Sequence, residues 1–109
     1  MQENTHAHPG EVEITFAFSR HLGPRFMHGG VTLQFHGASS FVFRSEASWP
    51  QDNYDEHVRR GVEEVLASQE GRERGVAVVL KSIAWDPVSS CAEGFRRAAA
   101  AATRASLQV

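Results

Sequence analysis

Residues 75–105, "GVAVVLKSIAWDPVSSCAEGFRRAAAAATRA", pass from a β-branched run through a short polar turn into an alanine-rich helix. The run from Val76 to Leu80 is apolar at every position, so both of its faces seek cover and it reads as an interior strand of a sheet. In the turn, Ser90 and Glu93 have the Ser-x-x-Glu spacing of a capping box, in which each side chain bonds the other's free backbone N–H. The spacing gives the turn a structural task before any other. Beyond it Phe95, Ala98, Ala99 and Ala102 recur on one helical face, extended by Ser106, while Arg97 and Arg104 point elsewhere. Alanines make a low stripe, and such a helix needs a partner that comes close.

Upstream, "QDNYDEHVRRGVEEVLASQEG" (51–71) supplies that partner. It reads as a helix with Asp52 or Asn53 as N-cap and Gly71 as its stop. Tyr54, Val58, Val62 and Val65 share one face, while the pairs Asp55–Arg59, Glu56–Arg60, Arg59–Glu63 and Arg60–Glu64 lie along a solvated one. Gly61 costs the helix roughly 1 kcal/mol relative to alanine. That cost is explained if the two helices lie side by side on one face of the sheet, with Gly61 against the alanine stripe.

Three further strands precede this helix. In "EVEITFAFS" (11–19), Val12, Ile14, Phe16 and Phe18 alternate with Glu13, Thr15 and Ala17. "RHLGPRFMHGG" (20–30) reads as a Gly/Pro loop, "VTLQFHG" repeats the alternation through Val31, Leu33 and Phe35, and "FVFRSEASW" is a third strand ended by Trp49-Pro50. Short connections make an antiparallel meander the economical expectation for these three. The whole chain then reads as an α+β two-layer sandwich, a four-stranded sheet with two helices on one face in the order βββαβα.

The chain has 109 residues, 41% hydrophobic and 22% charged, which predicts one globular domain over 11–109 after a polar tail at 1–10. Cys91 is the only cysteine, so an intrachain disulfide and a multi-cysteine zinc site are both excluded. The formal net charge of −2 provides no broad basic field for nucleic acid, so any RNA contact is local. The sequence has no run of the roughly 20 apolar residues that span a bilayer, and "MQENTHAHPG" lacks signal-peptide character, so a cytoplasmic protein without a membrane partner is expected.

From about Ser19 to Arg104 the chain resembles domain IV of translation elongation factor G, which has the ribosomal protein S-five domain 2-like fold. "GPRFMHGGVTLQF" resembles that family's Gly-rich loop and second strand, with Gly23, Arg25 and Gly29 at matching positions. "WPQDNYDEHVRRGVEEVL" is similar to its first helix, through the leading Pro50, Tyr54, Val58, Gly61 and Leu66. The final strand, turn and helix match at Val88, Ser90, Phe95, Arg96, Ala98 and Ala99. The resemblance implies a left-handed crossover from the third strand through the first helix to the fourth, against the usual hand. It also implies two tip loops, "SRHLGPRFMHGG" and "AWDPVSSC", facing the decoding region of the small ribosomal subunit, and a diverged, free-standing relative of the domain. The second loop is about three residues shorter than the family's, the family's tip His has no counterpart, and Pro87, Ser89 and Cys91 occupy its acidic and seryl positions.

Candidate RNA-contacting residues follow from these loops. Arg20, His21, Arg25 and His28 with Phe26 combine cations that grip phosphates with a ring that stacks a base, and Asp86, Ser89 and Ser90 stand in the second loop. No nucleotide site is expected, because no Gly-x-x-x-x-Gly-Lys-Ser/Thr pattern occurs. His6 and His8 with His21, His28, His36 or His57 show no fixed ligand spacing, and neither Cys91 nor Asp86 has a general base placed by motif. No metal, cofactor or catalytic residue is therefore expected. Two functions survive: a non-catalytic module binding ribosome or structured RNA, or a protein–protein scaffold that has lost RNA binding, including a homodimer that pairs an exposed strand edge or the Phe-rich strands.

Overall fold

In a computed structural model the elements run β1 (Val12–Leu22), β2 (Arg25–Gly37), β3 (Val42–Ser45), α1 (Asp55–Ala67), β4 (Val76–Ala84) and α2 (Ala92–Ser106). The structure describes residues 11–23, 25–68 and 75–108, with Leu22 and Arg25 described in backbone alone. The tail 1–10 and Gly71 lie outside the described residues. The four strands form one mixed sheet in the order β1-β2-β4-β3, with two helices completing an α+β two-layer sandwich.

The expected meander does not form. β4, not β3, lies beside β2, and β3 pairs in parallel with the outer side of β4 after the α1 crossover. The reason is burial: Ala77, Val78, Val79 and Leu80 are all buried, and only an interior place in the sheet covers so continuous an apolar run. β3 keeps just four paired residues before the chain leaves the sheet toward Trp49-Pro50.

Register and alternation place the core. Opposite Phe35, Leu33 and Val31 on β2 stand Val12, Ile14 and Phe16 on β1. On the other side Leu33 faces Leu80 and Phe35 faces Val78. A bulge between Thr32 and Leu33 then leaves Lys81 as the extra residue, so that Ile83, not Ser82, comes opposite Val31. The pattern break "LKSI" in the sequence is thus a change of phase that returns Ile83 to the core side, where it packs against the buried cluster.

Over this face α1 offers Val58, Val62, Val65 and Leu66, and α2 offers Phe95, Ala98, Ala99 and Ala102, all buried. The helices meet at Gly61. A Cβ added there would fall on the Arg96 carbonyl oxygen and within 3.1 Å of the Ala99 Cβ, so the missing side chain is what lets the axes approach. α1 begins later than either expected cap: Tyr54 is the N-cap, and Asn53 contributes by accepting the Asp55 backbone N–H at 2.8 Å.

Of the expected helix-surface ion pairs, Arg59–Glu63 forms at 3.3 Å. Asp55 is turned inward instead, where its Oδ1 accepts from Ser45 Oγ and from Trp49 Nε1, each at 2.8 Å. Glu64 reaches across to Arg96 at 2.6 Å and so joins the two helices. Among the described residues no helix is long and apolar enough to cross a membrane.

Candidate nucleic-acid interface

The stretch 20–30, expected as a loop, is almost entirely paired strand. The β1–β2 ladder continues through Arg20↔Met27 and His21↔Phe26 to Leu22↔Arg25, leaving a two-residue connection that begins with Gly23 at φ 64°. Gly23 takes this left-handed conformation without a Cβ clash. A long twisted hairpin arm results. At its end the His21 and Phe26 rings meet edge to face at 4.6 Å, with Phe26 still 44% exposed. Arg20 is exposed one residue away, and Arg25 heads β2, its side chain lying outside the described residues.

The second loop packs against the base of this arm. His28 donates its backbone N–H to the Ser89 carbonyl at 3.0 Å, and its own carbonyl accepts from Cys91 N–H at 3.3 Å. Within the loop, Asp86 Oδ2 accepts from the Ser89 backbone N–H at 2.8 Å and from the Ser89 hydroxyl. Ser90 Oγ accepts the Asp86 backbone N–H at 2.8 Å, and the Ser90 N–H returns to the Asp86 carbonyl at 3.0 Å. The bonds from Ser89, its hydroxyl first, hold the Asp86 carboxyl below its usual pKa.

The capping box is therefore not made. α2 begins at Ala92 with Cys91 as N-cap, which puts Ser90 one position too early and spends its oxygen on Asp86. Glu93 turns to Arg96 and Arg97 instead, and bonds from Arg96 above all lower its pKa to about 2. The same contact pushes the Arg96 pKa upward. Two guanidiniums at i+3 and i+4 outbid one neutral backbone N–H for a carboxylate.

A backbone-to-backbone approach locks the start of α2 against β2. A Cβ on Gly29 would fall on the Gly94 carbonyl carbon, and a Cβ on Gly94 would fall on the His28 carbonyl oxygen. The Gly29-Gly30 pair and a glycine in the first turn of a helix were the sequence signals for this contact, which periodicity alone does not detect. Behind it lies an aromatic group that alternation also missed: Phe95 is fully buried, with Trp49 edge-on at 4.9 Å and Trp85 stacked at 5.7 Å.

With this geometry in place the chain can be set beside known proteins. No protein-family model matches it, and no curated protein matches it. A solved structure of a Thermus thermophilus protein superposes with a TM-score of 0.77 at 19% identity over 87% of the chain. The likeness is one of fold. The chain spans 15% of the length of that protein and so corresponds to one segment of a much larger molecule.

The expected site residues thus separate into two groups. His28, Asp86, Ser89 and Ser90 come together, with His28 Nδ1 3.5 Å from Ser90 Oγ, but their polar groups are largely spent on one another. Arg20, His21 and Phe26 sit farther out on the arm. Val88, in the second loop, is 94% exposed. Arg97 is engaged by Glu93 at 2.8 Å and lies 5.6 Å from the Phe18 ring centroid, so it does not extend the arm's charge. Among the described residues no group of three or more His, Cys, Asp or Glu is placed to hold a metal ion.

Proposed function

We propose that this chain is an elongation factor G domain IV-like module, non-catalytic, that binds ribosome or other structured RNA through the end of its β1–β2 arm. The observation that carries the reading is the arm itself. Its two strands stay paired to the last residues before the turn, and Arg20 and Phe26 are exposed on it. A cation beside an exposed ring on a rigid projection grips phosphate and stacks an unpaired base without needing a broad basic surface. The second loop supports the arm and adds Val88 as a contact point. The resemblance carried by Gly23, Gly29, Gly61 and Phe95 is supported by their placement, since Gly29 and Gly61 stand at close backbone approaches and Phe95 at the centre of the core.

Co-sedimentation with purified ribosomal subunits at low and moderate salt tests this. The expected result is salt-sensitive retention on the small subunit, lost in an Arg20→Glu/Arg25→Glu variant that unfolds at the wild-type temperature. Each arginine removed should reduce the salt dependence of binding by about one phosphate contact. Absence of retention at both salt concentrations would overturn the ribosome reading.

A further inference from the structure

The two edges of the sheet are unlike. β3 exposes four residues and then breaks off at Trp49-Pro50, whereas β1 runs eleven residues with no proline, and among the described residues nothing pairs with its outer side. Such an edge is a template for another strand. Its hydrogen-bonding phase follows from the hairpin. Across a two-residue connection, Leu22 and Arg25 must be a hydrogen-bonded pair, so even-numbered residues of β1 bond to β2 and odd-numbered ones turn their N–H and C=O outward. Glu13, Thr15, Ala17, Ser19 and His21 therefore present the free backbone groups.

We infer that the outer edge of β1 pairs antiparallel with the same edge of a second copy, about a two-fold axis through Ala17. A two-fold interface sets each residue against its mirror partner, so the sequence must complement its own reversal. Centred on Ala17, it does. Phe16 falls opposite Phe18 of the second copy, Thr15 opposite Ser19, Ile14 opposite Arg20, and Glu13 opposite His21, giving an aromatic pair, a hydroxyl pair, an apolar side chain along an arginine stem and a carboxylate facing an imidazole. No residue meets a like charge. At the axis Ala17 meets itself as a hydrogen-bonded pair, and its small exposed side chain leaves the two backbones room to close.

The layer above the edge agrees with this. Between β1 and α2 lies a groove of about 490 Å³ lined by Phe16, Phe18, Ala100, Ala101, Arg97 and Arg104. Phe16 and Phe18 are only half-buried there, and the facing pair from a second copy would cover them. The result is a continuous eight-stranded sheet in which the β1 side of the arm, Arg20 and His21, lies within the seam, while Phe26 on β2 stays outside it.

Sedimentation velocity across a concentration series tests the association. The expected result is a concentration-dependent species of twice the chain's mass, abolished by Ala17→Lys, which sets two ammonium groups against each other at the axis while leaving the core untouched. Register is read in a Cys91→Ser background: Ala17→Cys should cross-link to a covalent dimer under mild oxidation, and Thr15→Cys, about four residues from its own copy across the axis, should not. A chain that stays monomeric at every concentration would overturn the inference and leave the edge to a strand from another protein. A dimer indifferent to Ala17→Lys and not trapped by Ala17→Cys would overturn it equally.

Discussion

Residues 85–91 and residues 20–26 lie at the same end of the sheet and handle their polar groups in opposite ways. The first segment ties side chain to backbone, with Asp86, Ser89 and Ser90 each satisfied inside the loop. The second ties backbone to backbone, and Arg20, His21 and Phe26 are exposed on it. Both segments hold candidate contact residues, the second through its cations and ring and the first through the tip-loop position that the resemblance implies. Their surroundings separate them: the first is a clamp that starts α2 and holds it to β2, and the second is the exposed surface on which the proposed function rests. If that division is right, damage to the clamp reads out as lost stability and damage to the arm as lost binding.

The largest effect should come from Gly94→Ala. Alanine improves helix propensity by roughly 1 kcal/mol, so in an open helix the change would stabilise. Here the added Cβ would sit on the His28 carbonyl oxygen, part of a strand backbone that cannot swing aside. Overpacking against a fixed group costs about 1–3 kcal/mol or more, and with no flexible neighbour to yield the upper end applies. A net loss of about 2 kcal/mol in urea denaturation is expected. A gain in stability would mean that the clamp is not held at Gly29 and Gly94.

Phe26→Ala asks the converse. The ring is exposed and touches mainly His21, so the unfolding free energy should move by no more than about 0.5 kcal/mol. Loss of one base-stacking platform should weaken affinity for a single-stranded RNA oligonucleotide by roughly 1–3 kcal/mol, measured by fluorescence anisotropy. Asp86→Ala is the matched change in the clamp. It should lower the melting temperature and leave RNA affinity within about twofold of wild type once both proteins are compared well below their transitions. Reversal of this pattern, with Asp86→Ala abolishing RNA binding in a fully folded protein, would move the interface to the second loop.

How much of this was legible in the sequence depended on which physical rule each residue obeyed. The alternation of Val12, Ile14, Phe16 and Phe18 and the helical spacing of Phe95, Ala98 and Ala102 obey period rules, and those faces are where the core lies. The continuous run Val76–Leu80 announced an interior strand, and taking it at full weight already forbids the meander, because β2 and β3 cannot be neighbours with β4 between them. Gly and Pro are loop signals and so predict a loop where the arm stands, whereas the ladder needs only two residues to turn. Ser90 matched a capping pattern but served Asp86, since a motif states which bonds are available and not which acceptor lies nearest. Asp55 was assigned to an exposed face by its charge. Its contacts with Trp49 and Ser45 depend on where the chain from β3 returns, which no local pattern records.

The smallest predicted effect concerns pH, and it sharpens the same contrast. Glu93 stands in the first turn of α2, just after the clamp, with Arg96 and Arg97 lowering its pKa from 4.5 to about 2. A carboxylate whose pKa is lower in the folded state contributes stability in full above about pH 4.5. That contribution fades as the pH falls toward 2, where the folded protein takes up the proton as well. Arg96 remains charged throughout, so no matching limb appears on its account. The side chain of Glu93 is 38% exposed, and solvent screening keeps the effect modest. Glu93→Gln should therefore lower the melting temperature slightly at pH 6, and the difference from wild type should shrink steadily between pH 4.5 and pH 2. Asp86 and Glu46, both with lowered pKa values, the latter through Lys81, stay in the variant and preserve part of the acid limb. The hairpin segment from Arg20 to Phe26 contains no carboxylate. Its variants should accordingly run parallel to wild type across this window, and an acid limb altered by Phe26→Ala would show that arm and clamp are not energetically separate.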